Sequence, residues 1–411
     1  MSTLRICIDA RLRAGEQGGV QQALIGLASG LAALRDGEEE YIFLVNDDSA
    51  DWLAPHVAGA CHMLAWPRTP RRVAGSALLS PAVYDRLARA VVRWMPVRVP
   101  PSDGFVESLR ADVVHFALQH GFRTSVPSIY VPHDLQHVHF PAFFSRQHVR
   151  WRAVTYRTLA RQAAAVVALT PYGKRDLVEH LGLDASRVHV IGWAPVLDAY
   201  PAPDEADLRQ LRDRLALPGR FALFPAQTFP HKNHVRLFQA LALLRARGVE
   251  VPLVCSGHRD ACHPSLVAEL RRLDLTGMVR FVGFVEPFDL VGLYRLASLL
   301  VFPSLFEGFG MPVLEAFRSG VPVACSGTSS LPDVAGSAAE MFDPTNVAAM
   351  ATAIERVWTD PVRASALVDH GTRQVARFTW DRTARAYRAL YRAAAGRPLD
   401  RVDARLLSEG S

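Results

Sequence analysis

Lysine is almost missing from this chain of 411 residues, although 46 residues are lysine or arginine. Lys174 and Lys232 are the only two lysines, and the chain otherwise uses arginine for positive charge. The two side chains are not interchangeable at phosphate sites, so both lysines are candidates for a functional role. The net charge of +6 is small for this length. The arginines do not form the aromatic-interleaved stripes of nucleic-acid binders, and we expect no nucleic-acid partner.

Cysteine and long apolar runs are also scarce. The five cysteines are odd in number and widely spaced, which argues against a disulfide framework and favours a reducing compartment. The first residues carry no signal-peptide pattern, and no run reaches the roughly 18 apolar residues of a membrane span. These features predict a cytoplasmic protein that is soluble or attached to the inner face of the cytoplasmic membrane.

One segment raises the question of membrane contact. An apolar helical pattern and a cluster of arginines share the stretch from Trp66 to Arg98. A solvated helix face in an arginine-rich protein explains the stretch. A surface for anionic lipid or for a lipid-phosphate acceptor explains it as well. The arginines are Arg68, Arg71, Arg72, Arg86, Arg89, Arg93 and Arg98.

Familiar nucleotide and metal motifs are absent from the sequence. No Gly-x-Gly-x-x-Gly fingerprint follows either opening strand, and there is no Walker A sequence. The residues Cys255, His258, Cys262 and His263 are of metal-ligand types, but their spacing is not that of a usual zinc site. We therefore predict no metal site.

The sequence does show alternating strand and helix patterns, which are typical of a doubly wound parallel sheet. The alternation stops at the proline-rich and acidic segment 195–207, which we interpret as an interdomain linker, and then restarts. The predicted strands are 4–9, 41–45, 112–116, 128–131, 165–169, 188–191, 221–225, 252–255, 279–282, 299–302 and 322–325. The predicted helices include 234–247, 264–273, 288–296, 312–319, 346–358 and 380–396.

This pattern predicts an α/β protein of two doubly wound Rossmann-like domains that face each other across a cleft. The domains span 1–195 and 196–379, and the C-terminal segment 380–411 packs back on the first. The last 15 residues are polar, and we expect them to fray.

The most informative segment is 302–316, in which Glu307 and Glu315 flank a glycine turn and a helix start. Glycines allow the turn, and Pro312 suits the first helical turn. The amides of Phe309, Gly310, Met311 and Val313 should point out of the helix N-terminus, which is a ready site for phosphate. A carboxylate at each end can accept hydroxyl hydrogens from a sugar or a ribose.

This segment resembles the Glu-x7-Glu signature of the retaining glycosyltransferases of family 4 (glycosyl transferases group 1), which have the GT-B fold. The resemblance implies that Glu307 contacts the donor sugar and Glu315 the ribose. It also implies that a donor-binding stretch runs through Gly308, Phe309, Gly310, Met311 and Leu314. By the same resemblance, the second domain binds the nucleotide-sugar donor and the first domain binds the acceptor. The chain has no Asp-x-Asp, the metal-binding mark of the other main glycosyltransferase fold, so we expect metal-independent transfer.

The segment 224–233 follows the first strand of the second domain. The family usually has an Arg and a Lys here, five residues apart, to neutralise the departing diphosphate. Lys232 stands at the Lys position, and Gln227 replaces the Arg. An ammonium there would stabilise the charge that grows as the glycosidic bond breaks. Arg236 and Arg259 are the candidates for the second positive charge.

The remaining site predictions also follow the resemblance. His133 and Asp134 match the family's His-Asp pair, whose His faces the donor sugar, and Asp134 would fix the tautomer of His133. Gly18 and Gly19 match the glycine loop that approaches the diphosphate and the acceptor. The strand 279–285 and its following loop, with Phe284 and Val285, should hold the base.

The predicted function is transfer of a hexose, with a lean towards mannose, from a nucleotide-diphosphate sugar to a glycan or lipid-linked acceptor. The resemblance places this reaction in bacterial polysaccharide or O-antigen biosynthesis, with no cofactor. One alternative is a nucleotide-sugar epimerase on the same fold. Another is a non-catalytic subunit of a glycan assembly complex that binds the nucleotide-sugar.

Overall fold

The computed structural model describes residues 3–13, 18–47, 50–67 and 97–409. The chain divides into two compact units. The first unit comprises Met1–Val167, Leu177–His189 and Arg385–Ser411, and the second comprises Ala168–Asp176 and Val190–Ala384. The longer segment of the second unit begins at Val190, before the predicted linker 195–207. The second unit also includes residues 168–176 of the predicted first domain.

The strands are short and mostly buried. They are β1 (Leu4–Asp9), β2 (Glu39–Val45), β3 (Cys61–Ala65), β4 (Val113–Phe116), β5 (Ser128–Tyr130), β6 (Ala165–Ala168), β7 (Val188–Val190), β8 (Ala222–Pro225), β9 (Leu253–Ser256), β10 (Val279–Gly283), β11 (Leu299–Phe302), β12 (Val323–Ser326) and β13 (Glu340–Phe342). Among the described residues, β3 and β13 are strands that the sequence analysis did not identify.

Helices alternate with these strands. They are α1 (Gly18–Ala33), α2 (Phe105–Ser108), α3 (Gln136–His139), α4 (Arg146–Gln162), α5 (Pro171–Leu181), α6 (Glu205–Arg214), α7 (His234–Ala246), α8 (His263–Arg272), α9 (Pro287–Leu296), α10 (Met311–Arg318), α11 (Leu331–Ala335), α12 (Val347–Thr359), α13 (Pro361–Val375), α14 (Trp380–Ala394) and α15 (Arg401–Glu409). Helix α6 begins inside the predicted linker, because Asp204 and Asp207 form a capping box at its N-terminus.

The sheet of the first unit has the strand order β3-β2-β1-β4-β5-β6-β7. The pairs with a defined register are all parallel, as in β1 with β2 and β1 with β4. The chain adds β2 and β3 on one side of β1 and then returns to add β4 on the other. The strand order therefore reverses between β1 and β4, and ligands bind at such switch points, beyond the carboxyl ends of the strands.

The C-terminal helices complete the core of the first unit. Tyr391 on α14 is fully buried, and its hydroxyl lies 2.8 Å from His115 Nδ1 on β4. The His115 ring also stacks on Tyr387, with the ring centroids 4.9 Å apart. Burial lowers the pKa of His115 to about 3, so the imidazole is neutral at physiological pH.

The prediction that the last 15 residues fray is wrong for α15. Asp400 accepts hydrogen bonds from the backbone amides of Val402 and Asp403, which starts the helix. The Asp403 carboxylate is 1% exposed and pairs with Arg392, which also pairs with Glu39 on β2. These ion pairs fix α15 to its own unit.

The sheet of the second unit has the order β10-β9-β8-β11-β12-β13, and its strand pairs are parallel. Its strands carry residues such as Leu223, Leu300 and Ala324 that are fully buried, because helices cover both faces of a doubly wound sheet. The strand order reverses between β8 and β11. The loops that leave these two strands are the segments that carry Lys232 and Glu307.

Candidate functional site

The switch point of the second unit brings Lys232 and Glu307 together across 75 residues of sequence. Lys232 ends the 3-10 turn after β8, and Glu307 lies in the loop after β11. Lys232 Nζ is 2.6 Å from Glu307 Oε1, and the two side chains are 17% and 13% exposed. Ion pairs this well shielded are uncommon at a solvated surface. The pair brings a cation and a carboxylate to the place where this sheet type binds ligands.

Asn233 holds this arrangement in place, a role that the sequence analysis missed. Its φ of 65° is in the left-handed region, which asparagine tolerates better than most residues. The buried side-chain amide donates to the carbonyls of Pro303 and Pro344, at 3.0 and 2.8 Å. The loops after β8, β11 and β13 are thereby joined. The two carbonyl partners lie 70 and 111 residues away in the sequence, so local sequence carries no signal for the contact.

The glycine turn before α10 has the predicted geometry at Gly310, whose φ is 105°. A Cβ built there would lie 2.5 Å from Leu331 Cδ2, so glycine is required by both backbone and packing. The Phe309 ring is buried and lies near Trp193 and Phe378, with the ring centroids 5.8 and 6.1 Å apart. The turn is thus fixed from both sides.

The prediction that four backbone amides at the start of α10 are free to bind phosphate is wrong for one of them. Val313 N donates to Gly310 O at 3.0 Å, so this amide is already used within the first helical turn. For the amides of Phe309, Gly310 and Met311, the described part of the chain shows no protein acceptor. These are the amides that remain to bind an anion at the start of α10.

Glu315 lies inside α10 and is only 6% exposed. It accepts a 2.7 Å hydrogen bond from the hydroxyl of Tyr294, a partner that the sequence analysis did not identify. Burial raises the pKa of Glu315 to about 7, and the hydrogen bond from Tyr294 opposes part of this effect. The neighbouring Leu314 is fully buried and anchors the helix rather than contacting solvent.

The cations proposed to replace the missing arginine have different surroundings. Arg236, on the first turn of α7, is half-buried and donates to Asn233 Oδ1 at 3.1 Å. Arg259 is exposed and donates to the carbonyl of Phe281 at 3.0 Å. Arg236 is therefore attached to the residue beside Lys232. Gln227 is half-buried in the loop after β8.

The loop after β8 is held closely against the loop after β9. Gly257 has a φ of 126°, and a Cβ there would lie 2.7 Å from the carbonyl carbon of Ala226 and 2.9 Å from Gln227 N. Thr228 Oγ1 donates to Asp260 Oδ1 at 2.7 Å. The position of Gln227 is therefore set by the close approach of Gly257 and by the hydrogen bond between Thr228 and Asp260.

Phe284, in the loop after β10, is 48% exposed, and Val285 beside it is half-buried. The Phe284 ring stacks on His258, with centroids 4.6 Å apart and an angle of 12°. His263 contacts the Phe281 ring edge-on at 4.7 Å. Two of the four residues of metal-ligand type are thus in aromatic contacts.

The predicted residues of the first unit lie at the ends of β5 and β1. His133 has a φ of 68°, and its Nε2 is 2.9 Å from the carbonyl oxygen of Ala117. Burial lowers the pKa of His133 to about 4, so the ring is neutral at pH 7. Asp134 pairs with Arg152 at 3.3 Å and accepts from Gln136 N. The role of Asp134 in fixing the His133 tautomer stays a prediction.

Gly18 and Gly19 are the first two residues of α1, and a Cβ at either would meet no atom of the described chain within 4 Å. Their role at the diphosphate stays a prediction. Of the arginine cluster in the segment 66–98, only Arg98 lies within the described residues. Within the described ranges, no helix is long and apolar enough to cross a lipid bilayer.

Comparisons with known proteins agree with this geometry. The sequence model described as "Glycosyltransferase Family 4" matches residues 17–192, and the one described as "Glycosyl transferases group 1" matches residues 210–374. The O-antigen chain mannosyltransferase B of Escherichia coli is 29% identical over 282 residues, which are 67% of this chain and 73% of that protein.

Longer relatives and solved structures extend the comparison. The serotype-specific mannosyltransferase WbdA of Escherichia coli is 33% identical over 231 residues, 54% of this chain, and the match spans only 28% of WbdA. The structure of HepE from Anabaena with UDP and glucose has a TM-score of 0.67 at 18% identity, covering 95% of this chain and all of HepE.

WaaG, a glycosyltransferase involved in lipopolysaccharide biosynthesis, has a TM-score of 0.62 at 16% identity, over 95% of this chain and all of WaaG. These structural likenesses show the fold. Together with the two sequence models, they show that this chain belongs to the family 4, or group 1, glycosyltransferases and has their two-domain GT-B fold.

Proposed function

We propose that this glycosyltransferase is a retaining, metal-independent enzyme that transfers mannose from a nucleotide-diphosphate sugar. The acceptor is a glycan or a lipid-linked glycan in the assembly of a bacterial surface polysaccharide such as an O-antigen. The mannose assignment rests on the names of its relatives, O-antigen chain mannosyltransferase B and WbdA.

The observation that carries the proposal is the Lys232–Glu307 pair at the switch point of the second unit. A diphosphate that contacts Lys232 gains a charge-assisted hydrogen bond. The amides of Phe309, Gly310 and Met311 supply further donors without a change in net charge. Glu307 then accepts hydrogen bonds from sugar hydroxyls, which matches the role that the family resemblance assigns to it.

The proposed chemistry needs no covalent intermediate. The bond between the anomeric carbon and the diphosphate oxygen breaks, and the acceptor hydroxyl oxygen bonds to that carbon on the same face. The acceptor proton moves to the departing phosphate oxygen. Lys232 and the helix amides stabilise the negative charge that develops on the diphosphate. Glu315 is proposed to hold the ribose.

The first experiment is a calorimetric screen of GDP, UDP, ADP and their sugar conjugates with the chelator EDTA present. One nucleotide should bind, and Lys232→Ala and Glu315→Ala should each weaken its binding by roughly tenfold or more. Arg247→Ala is the matched control for Lys232→Ala, because it breaks a surface ion pair with Glu355 in the same unit. Glu269→Ala is the matched control for Glu315→Ala, because the Glu269 carboxylate pairs with Arg272 on the surface of the same unit.

The second experiment incubates the donor so identified with mannose-containing oligosaccharides and determines the anomeric configuration of the product by NMR. The same α-configuration in donor and product supports retention, and an inverted configuration refutes it. Loss of transfer in EDTA that Mg²⁺ restores would refute metal independence. No binding of any nucleotide would refute the donor-site assignment. Nucleotide binding without transfer to any acceptor would favour the non-catalytic alternative.

A further inference from the structure

The loop between β12 and α11 contacts the loop that carries Glu307. The hydroxyl of Ser329 accepts a 3.0 Å hydrogen bond from the backbone amide of Glu307, which lies 22 residues earlier in the sequence. Leu331, two residues further on, is fully buried, and its Cδ2 occupies the space where a Cβ at Gly310 would stand. The β12–α11 loop therefore braces the segment 307–310 at both ends.

Ser329 adopts a backbone conformation that is costly for serine. Its φ is 52°, in the left-handed region, where glycine has no steric penalty and serine does. Strain of this kind persists only where the surrounding structure fixes it, and it clusters at ligand sites. A hydroxyl that meets Glu307 is what serine supplies at this position and glycine cannot.

The β12–α11 loop is itself anchored by the segment Ala168–Asp176, which belongs to the same unit. Thr170 Oγ1 lies 3.0 Å from Ser330 Oγ, and both side chains are buried. The amide of Tyr172 donates to Asp333 Oδ2 at 2.6 Å. A loop that is ordered in advance loses little conformational freedom when it orients a binding group.

Glu307 is thus held at two points. Lys232 Nζ contacts its carboxylate at 2.6 Å, and Ser329 Oγ contacts its backbone amide. In the proposed function Lys232 also contacts the diphosphate, so donor binding changes the surroundings of this lysine. The contact with Ser329 acts on the backbone and does not depend on Lys232. It fixes the direction in which the Glu307 side chain leaves the chain.

We propose that Ser329 is a positioning residue that acts through Glu307. Its hydroxyl keeps the Glu307 carboxylate where the hydroxyl groups of the donor sugar arrive. Ser329 therefore contributes to binding of the sugar and not to binding of the nucleoside diphosphate. This assignment rests on the proposed role of Glu307, whereas the hydrogen bond between the two residues can be tested without any ligand.

Ser329→Gly is the test variant, because it removes the hydroxyl and relieves the strained φ in one change. Ala216→Gly is the matched control, since Ala216 has a φ of 45° and is exposed in the turn after α6. Without ligand, Ser329→Gly should raise hydrogen exchange in the segment 305–308 roughly tenfold. Its Tm should change no more than that of Ala216→Gly. Unchanged exchange in this segment overturns the proposal.

Calorimetry tests whether Ser329 acts through Glu307. The probes are GDP with GDP-mannose and UDP with UDP-glucose, and the pair that the natural chain binds is used. Ser329→Gly should weaken binding of the sugar conjugate roughly fivefold to tenfold and that of the diphosphate less than about twofold. In the Glu307→Gln chain, Ser329→Gly should change affinity for the conjugate less than about twofold, because residues that act through one another are not additive.

An equal loss of affinity for the diphosphate and for the conjugate overturns the proposal, because Ser329 would then support the whole site. A loss that persists in the Glu307→Gln chain overturns it as well. Failure of the proposed function has a different signature. If Glu307→Gln binds the conjugate as tightly as the natural chain, the sugar-binding role of Glu307 is refuted and the positioning role of Ser329 falls with it.

Discussion

The carboxyl group of Glu315 illustrates at the residue scale how a binding group can lower stability. Its pKa is about 7 in the folded protein and 4.5 as an ordinary glutamate. The folded state therefore holds this proton more tightly than the unfolded state does. Stability should fall as the pH rises from about 4.5 to 7 and then level off.

The Glu315→Gln variant tests this contribution. A neutral amide removes the cost of a buried charge and can still accept the hydrogen bond from Tyr294. We expect the variant to be more stable than the natural chain at pH 8, by on the order of 3 kcal/mol at most, with the difference vanishing near pH 4.5. Urea unfolding at several pH values measures it. A difference that is constant with pH would show that Glu315 is not the titrating group.

The second cation of the diphosphate site is also a question about single residues. Arg236 is half-buried and bonded to Asn233 beside Lys232, whereas Arg259 is exposed to solvent that screens its charge. We expect Arg236→Ala to weaken nucleotide-diphosphate binding roughly tenfold and Arg259→Ala less than about threefold. Calorimetry with the nucleoside diphosphate checks the order, and a larger effect at Arg259 would contradict it.

At the scale of elements, the start of α10 depends on Gly310. Alanine there must adopt a φ of 105° and displace the buried Leu331 side chain. We expect Gly310→Ala to destabilise the protein by about 1–3 kcal/mol and to weaken nucleotide binding, because the amides of the turn move.

Gly320 provides the matched control for this prediction. Its φ is also positive, at 67°, but a Cβ there meets no atom within 4 Å. Gly320→Ala therefore reports backbone strain without a packing clash or contact with the site. Thermal unfolding and nucleotide titration of both variants separate the two effects. Equal losses of nucleotide affinity in the two variants would show that the turn before α10 has no specific role in nucleotide binding.

The elements also show which parts of the fold the sequence can predict. The central strands were predicted within one or two residues, because strands such as β6 and β11 are continuous apolar runs buried on both faces. The edge strands β3 and β13 were not predicted. Cys61–Ala65 is half-exposed, and β13 begins with Glu340, a charged residue that pairs with two arginines.

The same reasoning separates the predicted site residues from those that were missed. Lys232, Glu307 and Gly310 stand out because a local motif carries them. Tyr294 and Asn233 act through partners on other elements, and only the folded chain brings these together.

At the scale of the whole molecule, the chain from Arg385 onward, which carries most of α14 and all of α15, belongs to the first unit. Tyr391 is a fully buried side chain on α14 that contacts His115. We expect Tyr391→Ala to cost about 3–5 kcal/mol and to raise hydrogen exchange in β1, β2 and β4. Exchange in the second unit should stay as in the natural chain. A uniform rise in both units would show that they unfold as one cooperative body.

The chain passes between the units after residues 167, 176, 189 and 384, so the first unit receives its final helices from the end of the sequence. During synthesis, the ribosome releases every residue of the second unit before it releases Arg385. The unit whose strands are translated first is thus the last to close its core, and its sheet must wait, with the sites of Tyr387 and Tyr391 still empty, until α14 leaves the ribosome.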